Sequence, residues 1–427
     1  MFKKLLQYHL RFLAKGVLKK YQSLIIGVTG SVGKTSTKEA IYTVLRSHFR
    51  VSRNQTNYNN ELGVPLAILD QEAVGRSVWG WLQVLLAGWR QVLFGRKDFP
   101  EILVLEMGAD KPRDIEYLTN LAPCFIGVVT AVGDVPAHVE FFEHNQDVAK
   151  EKSYLVKNLP NKGWAILNYD DPLVRNMRQV TRAQVLTYGL EERADIFASD
   201  INLWQDNDWP RGLAFKVNYK GNSVPVRVDH LLSRPHIANI LAAIACGLAL
   251  DLNLIEIVEA LRKIKPLPGR LNLIAGIKQS LIIDDTYNAA PAAMLAALDV
   301  LAQFTKQRKV AILGDMLELG SQSEKTHRQI GLKAAAIVDI LITVGLRAKF
   351  VSQTAQIQGL APARIYHFDE AETLMAQIED LINPNDVILV KASQGMRFEK
   401  IVKDIMADPM QAKELLVRQD DNWLKKS

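Results

Sequence analysis

Only two cysteines, Cys124 and Cys246, occur in the 427 residues, and each lies inside an apolar stretch. That scarcity excludes a disulfide scaffold and leaves both reading as small buried hydrophobes, suited to a reducing cytoplasm. An uninterrupted apolar run is missing as well. The first candidate, at the N-terminus, is broken by Lys3, Lys4, Arg11, Lys15, Lys19 and Lys20, and no small-residue cleavage pattern follows. A spanning helix and a signal peptide are excluded on that ground. Nor is there a Lys/Arg block to match the formal charge of +6. An anionic substrate or a membrane surface accounts for that excess as well as a nucleic acid does. No basic tract with interleaved aromatics is present to follow a nucleic-acid strand, so no nucleic-acid partner is expected. The active site is expected in the cytoplasm.

What is present begins with GVTGSVGKTSTKE at Gly27, behind the apolar run LIIGVT (24–29) and ahead of a helix expected from about Lys34 to Leu45. Strand, glycine-punctuated turn and helix are the setting that a phosphate loop requires. Its working end is Gly30, Ser31, Gly33, Lys34, Thr35 and Ser36. Backbone N–H groups and the helix N-terminus would wrap the phosphates of ATP, Lys34 would neutralise them, and Thr35 would offer its hydroxyl to Mg²⁺. The spacing departs from the plain G-x-x-x-x-G-K-[ST] pattern, because Val28 holds the usual first-glycine place. Mg²⁺ prefers hard oxygen ligands, and Glu106, closing the strand-like ILVLE, is the candidate carboxylate; a solvated strand end is the alternative.

Further strand-like runs, FIGVVTAVG from Phe125 and AILN from Ala165, have helical segments between them. They predict an α/β, doubly wound P-loop ATPase domain with a parallel sheet. Alternating runs from Asp195 to about Val228 read as antiparallel strands at its edge. KPLPGR (265–270) is a Pro/Gly hinge, and beyond it the βα rhythm restarts in SLIIDDTYN, KVAILGDML, DILITVG and DVILVKAS. The expected organisation is a basic amphipathic helix over 1–23, the central ATP-binding domain over 24–267 with an aromatic and basic insertion at 76–97, and a smaller Rossmann-like C-terminal domain over 268–427.

TGSVGKTSTKE, then NYNNELGVPLAIL from Asn57, then VLEMGAD from Val104, resemble the Mur ligases, the ATP-dependent amino-acid ligases of peptidoglycan precursor synthesis. PGR at Pro268, IIDDTYNAAP from Ile282, LGDMLELG from Leu313 and VKASQGMR from Val390 narrow the likeness to members that add D-alanyl-D-alanine to a UDP-linked muramoyl tripeptide. The resemblance runs from Ile25 to the end of the chain. It implies that ATP phosphorylates a peptide carboxylate and that an amino acid or dipeptide amine attacks the acyl phosphate. Lys34 and Thr35 would then match the γ-phosphate and Mg²⁺ residues, Glu106 the metal-binding glutamate, and His138 a histidine beside a second Mg²⁺. A transition-metal site with Glu140 and His144 is the other reading of His138. Lys152 would be a carbamylated lysine acting as metal ligand or positioner. By itself it reads as a surface lysine, and Lys150 is its rival if the register slips.

The resemblance also implies that Asn239 contacts the nucleotide base, that Arg270 lies near the phosphates, and that Asp285, Tyr287 and Asn288 close over nucleotide and substrate. The surroundings of Asn239 depart from the family pattern. So does Gln394, which stands where relatives carry an arginine for a terminal carboxylate; Arg397 is the candidate replacement. Relatives also carry a UDP-binding domain ahead of the loop, for which the 26 residues before Gly27 do not suffice. Residues 1–21 and 76–97 have three readings: packing on the core or a second subunit, lying on the inner face of the membrane, or meeting a partner that binds the precursor. The alternatives to a dipeptide ligase are a family member using a different or lipid-linked acid, and a non-catalytic ATP-binding partner of a cell-wall enzyme.

Overall fold

The computed structural model describes residues 2–55, 58–75, 77–132, 142, 144–207, 209–420 and 423. They form two compact units. The first comprises residues 1–201, 214–227 and 234–264, and the second 202–213, 228–233 and 265–427.

The first unit is built on parallel strands β1 (Leu24–Thr29), β2 (Val51–Arg53), β3 (Ile102–Glu106), β4 (Ile126–Val129), β5 (Trp164–Asn168) and β6 (Gln184–Gly189). With β7 (Ile196–Asp206), β8 (Trp209–Tyr219) and β9 (Asn222–Asp229) they make one sheet, ordered β2-β3-β1-β4-β5-β6-β7-β8-β9. The inner strands are buried on both faces, which is why they read as continuous apolar runs rather than alternating ones. Strand order reverses at β1, which pairs with β3 on one side and β4 on the other. Ligands of such sheets bind beyond the strand ends at that point. Between Ile196 and Tyr219 the chain doubles back, with Lys216 ion-paired to Asp200 and Asn218 bonded to Ser199.

Helices of this unit are α1 (Phe2–Tyr21), α2 (Lys34–Leu45), α3 (Gly63–Ile68), α4 (Val78–Leu93), α5 (Asp114–Leu121), α6 (Asn145–Lys157), α7 (Pro172–Arg175), α8 (Arg234–Ala249) and α9 (Leu254–Leu261). Apolar residues of α1 recur at helical spacing, and Leu6, Leu10, Leu13 and Val17 are buried in the main core. Burying four such side chains stabilises the fold by up to roughly 10 kcal/mol. Trp81, Val84 and Gly88 form the buried row of α4, and Ser77 caps that helix by accepting from Gly80 N–H at 3.1 Å. Two glycines bring α1 and α4 together. A Cβ on Gly88 would meet Leu13 at 2.9 Å, and one on Gly16 would meet Val92 at 3.1 Å. Internal packing therefore occupies one face of each helix. No helix among the described residues is long and apolar enough to cross a membrane. Cys124 and Cys246 are free thiols in the core, and burial raises the pKa of both, that of Cys124 to about 12.

In the second unit, β10 (Asn272–Ala275), β11 (Leu281–Asp284), β12 (Lys309–Gly314), β13 (Ile340–Val344), β14 (Ile365–Phe368) and β15 (Val387–Lys391) follow the order β10-β11-β15-β12-β13-β14. Only β10 runs antiparallel to its neighbour. Strand alternation divides the core in two. Ile283, Ala311 and Leu389 face one cluster with Leu298 and Ile330, while Ile282, Ile312 and Ile388 face another with Phe398 and Ile401.

Candidate active site

The phosphate-loop residues gather where β1, β3 and β4 end. Gly33 stands in the left-handed conformation (φ 83°) at the start of α2, and a Cβ there would lie 2.9 Å from Asn239 Oδ1. A Cβ on Gly30 would collide with Thr130 Oγ1. The two glycines leave a backbone cradle that any side chain would fill. Thr130 holds the loop in place, its hydroxyl donating to the Val32 carbonyl at 2.6 Å. Ser31 Oγ is buried and has no hydrogen-bond partner among the described residues. Leaving such a group unmatched costs about 1–3 kcal/mol, so an acceptor brought by a ligand is favoured there. Lys34 Nζ reaches the Ser31 carbonyl at 3.4 Å, and Ser36 lies on the first turn of α2.

Glu106 is 4% exposed at the end of β3. Its carboxylate oxygens are held by neutral donors, the Thr35 hydroxyl at 2.9 Å and Asn59 Nδ2 at 3.0 Å. Asn54 fixes the backbone of the same residue, accepting from Glu106 N–H at 2.8 Å and donating to its carbonyl at 3.0 Å. The Asn54 carbonyl in turn accepts from Lys38 Nζ at 2.6 Å. Lys38 is fully buried, and that burial lowers its pKa against the opposing pull of Glu39. Sequence spacing alone does not mark Lys38, Asn54 and Asn59 as parts of this site. The local signals are a lysine among the buried positions of α2 and, for Asn54, an asparagine directly after a strand.

Lys152 sits on α6, 4% exposed, and its Nζ donates to the Gly30 carbonyl at 3.0 Å. Burial first, then the neighbouring Lys34, pulls its pKa down to about 7; Glu151 and Asp110 oppose the shift. Glu151 faces elsewhere, accepting the N–H groups of Arg113 and Ile115 at 2.7 and 2.8 Å. Lys150 is exposed. Only Lys152 of the two lysines reaches the loop. Asn239, on α8, accepts from the Thr37 hydroxyl at 3.0 Å, beside Gly33. His138 and Glu140 lie outside the described residues. Among the described residues no three His, Cys, Asp or Glu side chains gather as a metal-binding set. The oxygens at hand are those of Thr35 and Glu106, the hard donors that Mg²⁺ takes together with phosphate and water.

The second unit gathers the remaining candidates. Asp285 pairs with Lys391 at 2.6 Å, their side chains 12% and 2% exposed. Lys391 Nζ also donates to the Asn288 carbonyl at 2.9 Å, and Asn288 Oδ1 accepts from Gln394 N–H at 3.3 Å. The Arg270 guanidinium lies over the Tyr287 ring, 4.1 Å from its centre. Asp284 beside them accepts from Gly269 N–H and the Thr286 hydroxyl, and its complete burial pushes its pKa up to about 6. Arg397, the candidate replacement for the arginine absent at Gln394, is drawn into an internal ion pair. Its Nε is engaged by Glu399, a carboxylate 1% exposed whose other oxygen accepts from Arg418 at 2.8 Å.

A phosphate loop at the reversal point of a parallel sheet, with a buried carboxylate bonded to its threonine, defines a P-loop nucleotide-binding enzyme. The sequence matches the Mur ligase middle domain over residues 28–78 and 88–247, and the Mur ligase glutamate ligase domain over 269–394. It is 30% identical over 403 residues to the UDP-N-acetylmuramoyl-tripeptide–D-alanyl-D-alanine ligase of Bacillus subtilis, covering 94% of this chain and 80% of that one. The Escherichia coli enzyme of the same name is 30% identical over 92% of this chain and 78% of its own length. Among solved structures, a MurF from Acinetobacter baumannii superimposes with a TM-score of 0.79 at 26% identity, covering 94% of this chain and 81% of that one. The MurF ligase of Thermotoga maritima in complex with ADP gives 0.75 at 27% identity, covering 96% and 84%. The chain belongs to the Mur ligase family. It is an ATP-dependent, amide-bond-forming ligase of peptidoglycan synthesis.

Proposed function

We propose that the chain joins D-alanyl-D-alanine, or an amine closely like it, to the carboxylate of a cytoplasmic cell-wall peptide precursor. The observation that carries the reading is the loop itself: a glycine cradle, an unmatched buried Ser31 hydroxyl, the Thr35–Glu106 pair and Lys152 against the Gly30 carbonyl. Backbone N–H groups of the loop, apart from that of Ser31 which donates to the Ala131 carbonyl, and Lys34 hold the triphosphate of ATP. Thr35 and Glu106 would hold Mg²⁺, which would neutralise charge on the transferred phosphoryl group. The acceptor carboxylate oxygen attacks the γ-phosphorus and ADP leaves; the amine then attacks the acyl carbon and phosphate departs, leaving an amide and releasing a proton. Lys152, crowded by Lys34 and shielded from water, is placed to react as a neutral amine with CO₂. The N–C bond forms as one amine proton leaves, and the resulting carbamate puts a negative charge beside Lys34 in place of a second cation. Asn239 contacts the nucleotide. In the second unit Arg270, Asp285 and Asn288 serve nucleotide and substrate.

Support for the amine comes from the names of the relatives. A second reading, a different amine or a differently presented acid, is favoured by Gln394 and by the engagement of Arg397 with Glu399. The deciding experiment supplies ATP, Mg²⁺, UDP-N-acetylmuramoyl-tripeptide and D-alanyl-D-alanine and follows ADP release together with the mass of the product. A UDP-linked pentapeptide is expected. ATP binding without that product, but with product from another acid and amine pair, would replace the first reading by the second.

A further inference from the structure

The outer faces of α1 and α4 carry a surface that the ligase chemistry does not use. On α4, Trp79, Leu82, Leu86, Trp89 and Leu93 form one unbroken row at helical spacing, and all are exposed, Trp79 to 77%. On α1, Leu5, Tyr8 and Phe12 make the matching exposed row, which Lys15 and Lys19 continue. Phe12 and Trp89 are in ring contact, with centroids 5.8 Å apart, so the two rows are one surface. The helices run in the same direction. Leu13 lies at Gly88, Gly16 at Val92, and Lys20 Nζ bonds to the carbonyls of Val92 and Leu93.

Their basic ends therefore lie side by side. Lys15, Lys19, Arg90 and Lys97 are exposed there, next to Phe94, which is 82% exposed. Neither helix contains an aspartate or glutamate. A contiguous apolar patch of this extent marks an interaction site, and its charge selects the partner. A second copy would offer apolar surface but, with no acid on either helix, no counter-charge for the exposed cations. An anionic lipid surface complements both parts, taking Trp and Phe at headgroup depth and Lys and Arg among the phosphates. Neither helix is long and apolar enough to cross.

We propose that the outer face of α1 and α4 docks the enzyme flat on an anionic lipid bilayer. The test uses the whole chain and flotation with phosphatidylcholine vesicles, with and without phosphatidylglycerol, at low salt. The chain should float with the anionic vesicles, shift its tryptophan emission to the blue, and be released as salt shortens the screening length. Lys15→Gln with Lys19→Gln should weaken flotation about thirtyfold, and Trp79→Ser with Leu86→Ser should abolish the emission shift. Ligation in vesicle-free buffer should be unchanged by either pair. No flotation at low salt overturns the proposal, as does equal flotation with neutral vesicles that ignores the lysine changes. A dimer that Trp79→Ser with Leu86→Ser dissolves, in a chain that binds no vesicle, would assign the face to a second copy.

Discussion

Two lysines are buried almost equally, one in each unit, and their surroundings differ completely. Lys391 has a carboxylate at 2.6 Å and the Asn288 carbonyl at 2.9 Å. Lys152 has the Gly30 carbonyl at 3.0 Å, with Lys34 as the strongest charge influence on it. The first is a neutralised pair that organises a loop. The second is a cation held where a cation is disfavoured, and its pKa falls to about 7 as a result. Burial alone thus says little about a lysine's task. What faces it decides whether it is a fixed charge or a reactive amine.

The contrast is broken most severely at the pair. Asp285→Asn leaves Lys391 buried without its counter-charge and should cost about 3–5 kcal/mol, read as a lowered urea midpoint. An unchanged midpoint would mean that Asp285 is not what makes the buried lysine tolerable. Lys152→Arg comes next. It keeps the positive charge but cannot lose it or capture CO₂, and should lower kcat about 10²- to 10³-fold while ATP binding changes only a few-fold. Activity close to that of the unaltered chain would remove the carbamate from the mechanism.

A pH series sharpens the same point. The folded pKa of Lys152 lies below its ordinary value of 10.5, so the neutral amine appears as pH rises through about 7. At fixed dissolved CO₂, the initial rate of label capture on Lys152 should rise about tenfold from pH 6 to pH 8 and then level off, as the neutral-amine fraction does. A flat profile over that range would place the amine's titration elsewhere. The smallest effect is expected at Asn59→Ala, which removes one donor from Glu106. Activity should fall about tenfold, with a raised Mg²⁺ requirement. No change in the Mg²⁺ titration would show that Thr35 alone orients the carboxylate.

Much of the first unit's architecture is legible in the sequence because its signals are local. LIIGVT reads as a strand, the glycines as a turn, and 34–45 as a helix, all from neighbours in the chain. Glu106 is legible because it closes a strand. The clamp around it is not, since Lys38, Asn54 and Asn59 meet it only after β2 and β3 are paired. The Arg397–Glu399 pair is local, but Arg418, which completes the cluster, reaches Glu399 only through folding. For α4 the sequence carries too much signal rather than too little. Apolar residues occupy two rows, Trp81 and Val84 inward and Trp79, Leu82 and Leu86 outward, so periodicity alone does not say which row is the core.

The two cysteines have a practical consequence. Both thiols are enclosed and held protonated, and a thiol in that state is a poor nucleophile toward alkylating reagents. A cysteine introduced at an exposed position, such as Gln83→Cys on α4, would then be the dominant reactive site in an otherwise unaltered chain. A fluorophore or spin label attached there would report directly on what approaches that helix, with no background thiols to remove first.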